Sequence, residues 1–460
     1  MLSFEQKLQT LAGYFPVDAP LFSVGGFVRD KLLGTNSYDV DVCSQLDVYT
    51  VKTLLSNSDF AVSDKNLRMG TVIISSGDFK VEYTAFRTDS YDRTKGDHSP
   101  KEVEFTNDIS LDARRRDFAC NAIYQNVLTG EIVDFVGGVQ DVKNRILKTA
   151  DEPERVFEAD GLRVLRLVRF ASELGFEIDE KTLAVAKANA WRVKDIAVER
   201  IRDELNKIFV ADTKHPSLNV KNGHLVGLRL LDELGLLDML LPEVTDLKGL
   251  EQPRKYHLYD AFEHTVKAFE VAPPNLRWVA LLHDIGKIVC MREHGNMHGH
   301  DEVGARMARD ICERLKFSNA ETVRICGIIR WHMVDIHGDM SIDKLRLFAV
   351  EHIDVADDVC AFKRVDSEAS CGEPHDSRLK SALDEVRADG TPLNVKELKV
   401  DGNDLILLGV PSYERAGLLK ELLRDTVLNP RLNDRDKALA YIAKKAENKK
   451  GNKNKKDIKK

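Results

Sequence analysis

Two stretches of this 460-residue chain place side chains in patterns that could do chemistry. The first is residues 21–43, LFSVGGFVRDKLLGTNSYDVDVC. There Asp39 and Asp41 alternate with Val40 and Val42. On a strand, residues two apart share a face, roughly 7 Å from each other, so the carboxylates stand together and the valines point the other way. Like charges held that close are unfavourable without a cation between them. Mg²⁺ suits the place, because it takes carboxylate oxygens and fills its other positions with phosphates and water. Gly25 and Gly26 open a short helical pattern over residues 27–33, so unobstructed backbone N–H groups and a helix N-terminus can meet an anion. Together the parts suit nucleotidyl transfer, in which metals activate a hydroxyl and stabilise departing pyrophosphate.

The second stretch is rich in histidine. His264 is followed by the apolar run 276–282, which ends in His283-Asp284, and then by His294, His298, His300, His332 and Asp366. Two polar side chains at the end of an apolar helix are costly unless they bind something. Imidazole with carboxylate suits a transition-metal centre.

These groups need elements to position them. Residues 21–24 read as a buried strand, 34–37 as turn chemistry and 38–42 as an alternating strand. An amphipathic helix over residues 3–15 would cover the sheet, and another helix starts at 51–55. Strands 70–74 and 79–84 flank a Ser-Ser-Gly-Asp turn, with Glu82 on the second. A polar loop over 90–102 is expected to be mobile. Strand 132–135 and the Gly137-Gly138 turn close the unit near Lys148. Residues 154–170 read as one helix that carries Asp160 and Arg163 on a shared face, three apart. Helical patterns continue over 182–190, 201–209 and 225–241, and 394–445 is mainly helical. The Lys- and Asn-rich end, 446–460, is expected to be a basic disordered tail.

Composition excludes several classes. With 43 % hydrophobic and 31 % charged residues, and no apolar run of membrane-spanning length, the chain reads as soluble. Its start lacks a signal-peptide pattern. Seven cysteines without a Cys-x-x-Cys pair read as reduced thiols of a cytoplasmic protein. A net charge of -7 does not announce a nucleic-acid partner, since phosphate backbones need local Lys and Arg. The basic end is the exception.

The order G-G-x-V-R-D, short helix, D-x-D resembles the nucleotidyltransferase superfamily, and within it the bacterial tRNA nucleotidyltransferases (CCA-adding enzymes) and poly(A) polymerases. Residues 111–122, LDARRRDFACNA, resemble that family's D-L-x-R-R-D-F-T-x-N-A segment. Residues 159–163 resemble its E-D-x-x-R motif, with Ala159 where the Glu is usual. The resemblance implies an α+β chain: a small mixed-sheet head (1–148), then an all-α neck that reads the base and binds RNA (149–250), an HD domain (251–372) and a C-terminal helical tRNA-binding region (373–445). It implies Mg²⁺ on Asp39, Asp41 and the third carboxylate, Glu82. It implies nucleotide contacts from Gly25, Gly26, Arg29, Arg87, Asp112, Arg116, Asp117, Asn121, Asp160, Arg163, Arg166 and Arg169. The Asp would accept from the amino group of C or A and the Arg would donate to a ring nitrogen, a pattern that G and U do not match. The loop at 90–102 favours an enzyme able to add the final A.

The histidine-rich stretch resembles the HD phosphohydrolase superfamily. This implies a divalent transition metal on His264, His283, Asp284 and Asp366, with His300 and His332 at a second site or on phosphate. The implied partners are tRNA, CTP and ATP, with no membrane. Rival readings are an A-only adder, a poly(A) polymerase, an HD phosphohydrolase with an inactive head, and a noncatalytic RNA-binding scaffold. The intact carboxylate pair opposes the scaffold, because acidic groups facing phosphate give a binder nothing.

Overall fold

A computed structural model describes residues 2–35, 39–90, 102–252 and 258–457. The chain forms two compact units, residues 1–245 with 314–316, and 246–313 with 317–460.

The first unit is built on a seven-stranded mixed sheet. Its strands lie in the order Ala61–Asn66, Thr71–Ser76, Phe79–Ala85, Asp41–Ser44, Phe22–Val24, Tyr124–Asn126, Ile132–Val133. Asp41–Ser44 runs parallel to Phe79–Ala85 and antiparallel to Phe22–Val24. Val40, Val42, Val72, Ile74, Val81 and Tyr83 join one core with Leu8, Leu11 and Phe15. Burying each valine is worth roughly 1.5–3 kcal/mol. A one-residue slip would exchange those valines for carboxylates, which pins the register.

The expected covering helix is Phe4–Ala12, shorter than the pattern over 3–15, because Ser3 caps it with a capping box through Gln6. Tyr38 lies outside the described residues, and the strand there begins at Asp41, not at 38. Most of the loop expected at 90–102 also lies outside them. Its flanks pair as the antiparallel strands Arg87–Ser90 and Glu102–Phe105.

The helix expected across 154–170 is two helices, Pro153–Ala159 and Leu162–Leu174. The chain breaks at Asp160, whose backbone is extended (φ −148°, ψ 111°). The apolar period runs on through the break, which is why the pattern hid it. Leu162–Leu174 then packs against Val198–Phe209 and Gly223–Glu233.

The second unit is helical. Ala261–Val271, Arg277–Leu282, His300–Arg314, Asn319–Trp331 and Ile353–Cys371 carry the histidine cluster. A separate small core follows, in which Leu405, Leu418, Leu422, Ala438 and Ile442 are buried. Its last helix is Arg435–Asp457, so the tail expected to be disordered continues a helix through residue 457. Lysine and alanine are good helix formers, and composition alone does not end one. No helix among the described residues is long and apolar enough to cross a membrane.

Candidate functional site

Asp41 and Glu82 are direct partners across the parallel strand pair, and the Glu82 N–H donates to the Val40 carbonyl at 3.3 Å. Exposure alternates from residue 39 to 42, with Asp39 and Asp41 open and Val40 and Val42 buried. The sheet therefore gathers Asp41 and Glu82 side by side with Asp39 two residues before. Crowding by protein and the Glu82 and Asp39 charges push the Asp41 carboxyl up from 3.8 to about 6. Three carboxylates gathered in this way fit a hard divalent cation. Lys65, which nothing in the local pattern marks, ion-pairs with Glu82.

Gly25 closes the site from the neighbouring strand. Its φ is +78°, and a Cβ there would lie 3.8 Å from Asp41 Oδ2. A side chain would be strained by that left-handed backbone, whatever the space beside the carboxylate. Gly26 starts the helix Gly26–Leu32.

The arginines do not all face the cleft. Arg29 is buried, donating to Asp30 at 2.7 Å and to Asn121 at 2.6 Å. Asn121 donates to Asp117 at 3.2 Å, and Asp117 accepts from Arg166 Nε at 2.8 Å. One polar chain thus ties Gly26–Leu32 to Leu162–Leu174. Burial opposes the Asp117 charge, but Arg166 and Arg163 hold its carboxyl below the usual range. Three guanidiniums, Arg29, Arg166 and Arg169, surround the Phe170 ring at 5.3, 5.2 and 4.4 Å. Arg169 is buried and paired with Glu204 at 3.3 Å.

Arg116 is the arginine of the Arg114-Arg115-Arg116 run whose charge reaches Asp41. It donates to Asp112 at 3.1 Å and to the Tyr124 hydroxyl at 3.0 Å. Asp112 also accepts from Tyr124 at 2.6 Å and Arg115 at 2.8 Å. Its burial would raise the carboxyl, but Arg116 and Arg115 bring it down to about 2. Arg87 donates to Asp89 at 2.8 Å and to the Met69 carbonyl at 2.5 Å, and its N–H meets Asp112 at 3.2 Å.

Asp160 lies at the helix break and Arg163 on the helix that follows it, so the two do not share one helix face. Asp160 Oδ1 accepts from the Leu162 N–H at 2.9 Å, and Oδ2 meets Arg200 at 3.3 Å. Arg163 donates to the carbonyls of Val156 at 3.2 Å and Arg115 at 2.7 Å. Arg200 is 40 residues from Asp160, so no local spacing could have found it.

The histidine cluster is enclosed. His283 and Asp284 cap the helix Arg277–Leu282, and His264, His283, Asp284, His300 and His332 are buried. His264 Nε2 lies 3.2 Å from His283 Nε2, 3.5 Å from Asp284 Oδ2 and 3.0 Å from Asp366 Oδ1. His300 Nε2 lies 3.3 Å from Asp284 Oδ1 and 3.2 Å from His332 Nε2. Two ligand groups result, His264–His283–Asp284 and Asp284–His300–His332, each with ligand atoms within 4.8 Å. Asp284 is shared between them. The Nδ1 atoms of His283, His300 and His332 sit 2.7–2.8 Å from the carbonyls of Ala280, Met297 and Ile329. A carbonyl demands a donor, so Nδ1 carries the proton and Nε2 keeps its lone pair for the centre. Lys287, missed in the sequence, donates to Asp284 Oδ2 at 2.5 Å and to Gln252 at 2.6 Å. Burial and the His300 and His283 rings push His332 down to about 3. All seven cysteines are free thiols.

Comparison with known proteins places three family models along the chain. They are the poly(A) polymerase head domain over residues 21–148, the probable RNA and SrmB-binding site of polymerase A over 175–248, and the HD domain over 255–366. The chain is 29 % identical to an A-adding tRNA nucleotidyltransferase of Deinococcus radiodurans, covering 94 % of this chain and 96 % of that one. It is 41 % identical to a CCA-adding enzyme of Lactobacillus helveticus over 41 % of this chain and 46 % of the relative. In fold it is similar to the Bacillus stearothermophilus CCA-adding enzyme solved with CTP, with a TM-score of 0.66, 23 % identity and coverage of 98 % and 100 %. With head, RNA-binding and HD domains in this order, the chain belongs to the bacterial tRNA nucleotidyltransferase and poly(A) polymerase family, in the form that carries an HD domain.

Proposed function

We propose that this protein is a tRNA nucleotidyltransferase that adds CCA to tRNA 3′ ends from CTP and ATP, without a nucleic-acid template. The observation that carries the reading is the pairing of Asp41 with Glu82 across parallel strands, with Asp39 beside them and Gly25, in a left-handed backbone conformation, next to Asp41. Asp39, Asp41 and Glu82 would hold Mg²⁺. Bound there, the metal would favour ionisation of the RNA 3′ hydroxyl and neutralise departing pyrophosphate. The Gly25 and Gly26 backbone and Arg116 meet the triphosphate. Asp112 and Tyr124 hold Arg116 in place, and the Arg29–Asn121–Asp117–Arg166 chain keeps the glycine cradle fixed to the neck. Asp160 accepts from the amino group that C and A share, and Arg163 donates to a ring nitrogen. The partners are then tRNA, CTP and ATP, and the place of action is the cytoplasm.

In the HD domain, His264, His283, Asp284 and Asp366 would hold a divalent transition metal, with His300 and His332 completing a second position on Asp284. Such a centre supports hydrolysis of a phosphoester.

The test is stepwise incorporation on tRNA lacking CCA, with each nucleotide offered alone and then in pairs. Addition of two C and then one A is the expected outcome. The Deinococcus relative motivates a second reading, an enzyme that adds A only. Incorporation of CTP excludes that reading and the poly(A) polymerase alike. Loss of activity in His283→Ala but not in Asp41→Ala would favour a phosphohydrolase with an inactive head.

A further inference from the structure

Trp191 leaves 58 % of its surface open, whereas the chain's other two tryptophans, Trp278 and Trp331, are half-buried. One exposed aromatic is ordinary by itself. Its surroundings are less ordinary. Trp191 lies in the short 3-10 turn Ala190–Asp195, and that turn is pressed against the break between the neck helices. A Cβ on Gly161 would come within 2.9 Å of the Arg192 carbonyl oxygen and 3.0 Å of its Cβ. Only glycine permits the approach, so the turn is fixed beside Asp160.

The Arg192 guanidinium lies over the Trp191 ring, 5.1 Å from its centre. Its Nε is shielded from solvent and has no hydrogen-bond partner. A shielded donor without an acceptor is costly, so the guanidinium is held over the ring by packing and not by a hydrogen bond at Nε. Lys194 on the same turn is exposed, and Arg200 reaches Asp160 from a second helix. An open indole backed by a cation, with Lys194 on the same turn, suits single-stranded nucleic acid.

We propose that Trp191, backed by Arg192, is a stacking platform for the unpaired base at the 3′ end of the RNA. The proposal rests on the nucleotidyl-transfer reading above and adds a site to it. An enzyme that extends RNA without a template meets a different terminal base after each addition. Hydrogen-bond recognition of that base would fail at the next step, whereas stacking tolerates every base because each has a π-face. The incoming nucleotide is the other base available, but its edge is assigned to Asp160 and Arg163.

Replacing Trp278 and Trp331 by Phe leaves Trp191 as the sole indole. Titration with a minihelix RNA lacking CCA should quench that fluorescence saturably, while CTP alone should not. In the otherwise native chain, Trp191→Ala should raise KM for the RNA about 5- to 100-fold without a comparable change in KM for CTP, and Trp191→Phe should keep most of the affinity. An unchanged RNA KM in Trp191→Ala overturns the proposal, as does quenching by CTP but not by RNA. A wild-type protein that incorporates no nucleotide sinks the nucleotidyl-transfer reading instead. The titration needs no turnover, so the two failures are distinguishable.

Discussion

The head and the HD domain both gather carboxylates that suit divalent cations, and they do so in opposite ways. In the head, crowding by protein first, and then the Glu82 and Asp39 charges, push the Asp41 carboxyl up to about 6. In the HD domain, burial would raise Asp284 and Asp366 too, but His283 and Lys287 hold Asp284, and His264 and His283 hold Asp366, below the ordinary range. The head is thus a site whose carboxylate charge is only partly offset, by Lys65 on Glu82 and by Arg116, and a cation would complete the balance. The histidine cluster is enclosed, and its rings are held in orientation by the carbonyls of Ala280, Met297 and Ile329. A carboxylate set with solvent-exposed members suits a reaction whose substrate completes the coordination. A closed imidazole set suits a resident metal.

The largest effect that would break this contrast is at Asp41. Asp41→Asn should lower nucleotide incorporation by at least about 10²–10³-fold, measured with CTP on tRNA lacking CCA. His283→Ala should leave the same assay near wild type. If the two results were exchanged, the division of labour would be wrong.

Transition-metal binding sharpens the comparison from the other side. His283→Ala or His264→Ala should weaken Mn²⁺ or Co²⁺ binding on the order of 10- to 100-fold or more, measured by calorimetry on the full chain. Asp41→Asn should leave that tight site in place. Base selection comes next. Asp160→Ala should cut kcat/KM for CTP about 5- to 150-fold and narrow the preference over UTP, since a good bidentate base contact is worth roughly 1–3 kcal/mol.

The smallest effects follow from protons. Metal binding needs ionised Asp41, so with its carboxyl near 6 the half-saturating Mg²⁺ should rise by about tenfold per pH unit below that value. Without metal, the folded head keeps a proton on Asp41 between pH 3.8 and about 6 that the unfolded chain has lost. Stability therefore falls as pH rises through that window. In chelator at pH 7, Asp41→Asn should melt slightly higher than wild type, although it is inactive. Asp112 has the opposite sign. Its carboxyl at about 2 contributes stability above the ordinary value that is lost as pH falls toward 2, visible as loss of head structure in acid.

What the sequence made legible was local. Val40 and Val42 alternate with Asp39 and Asp41 at the period of a strand, so the carboxylate face could be read without the fold. Gly25-Gly26 marked the turn that the +78° backbone requires. The helix break at Asp160 was not legible, because the apolar residues on both sides keep the helical period, and the Asp-x-x-Arg spacing reads equally well as one helix face. The arginines were ambiguous for a related reason. Residue type announces a phosphate ligand or a buried ion pair alike, and Arg29 and Arg169 proved to be tied to Asp30, Asn121 and Glu204.

By itself the sequence determined the periodic faces, the turn chemistry and the supply of acidic and histidine side chains, since these depend on neighbours a few residues away. Only the tertiary structure decided which donors meet. Asp41 beside Glu82, Asp160 beside Arg200, and Asp284 between two histidine groups each join residues from different strands or helices. Sheet register and helix packing bring them within bonding distance, and these are set by burial summed over the whole core, which no short window of residues contains.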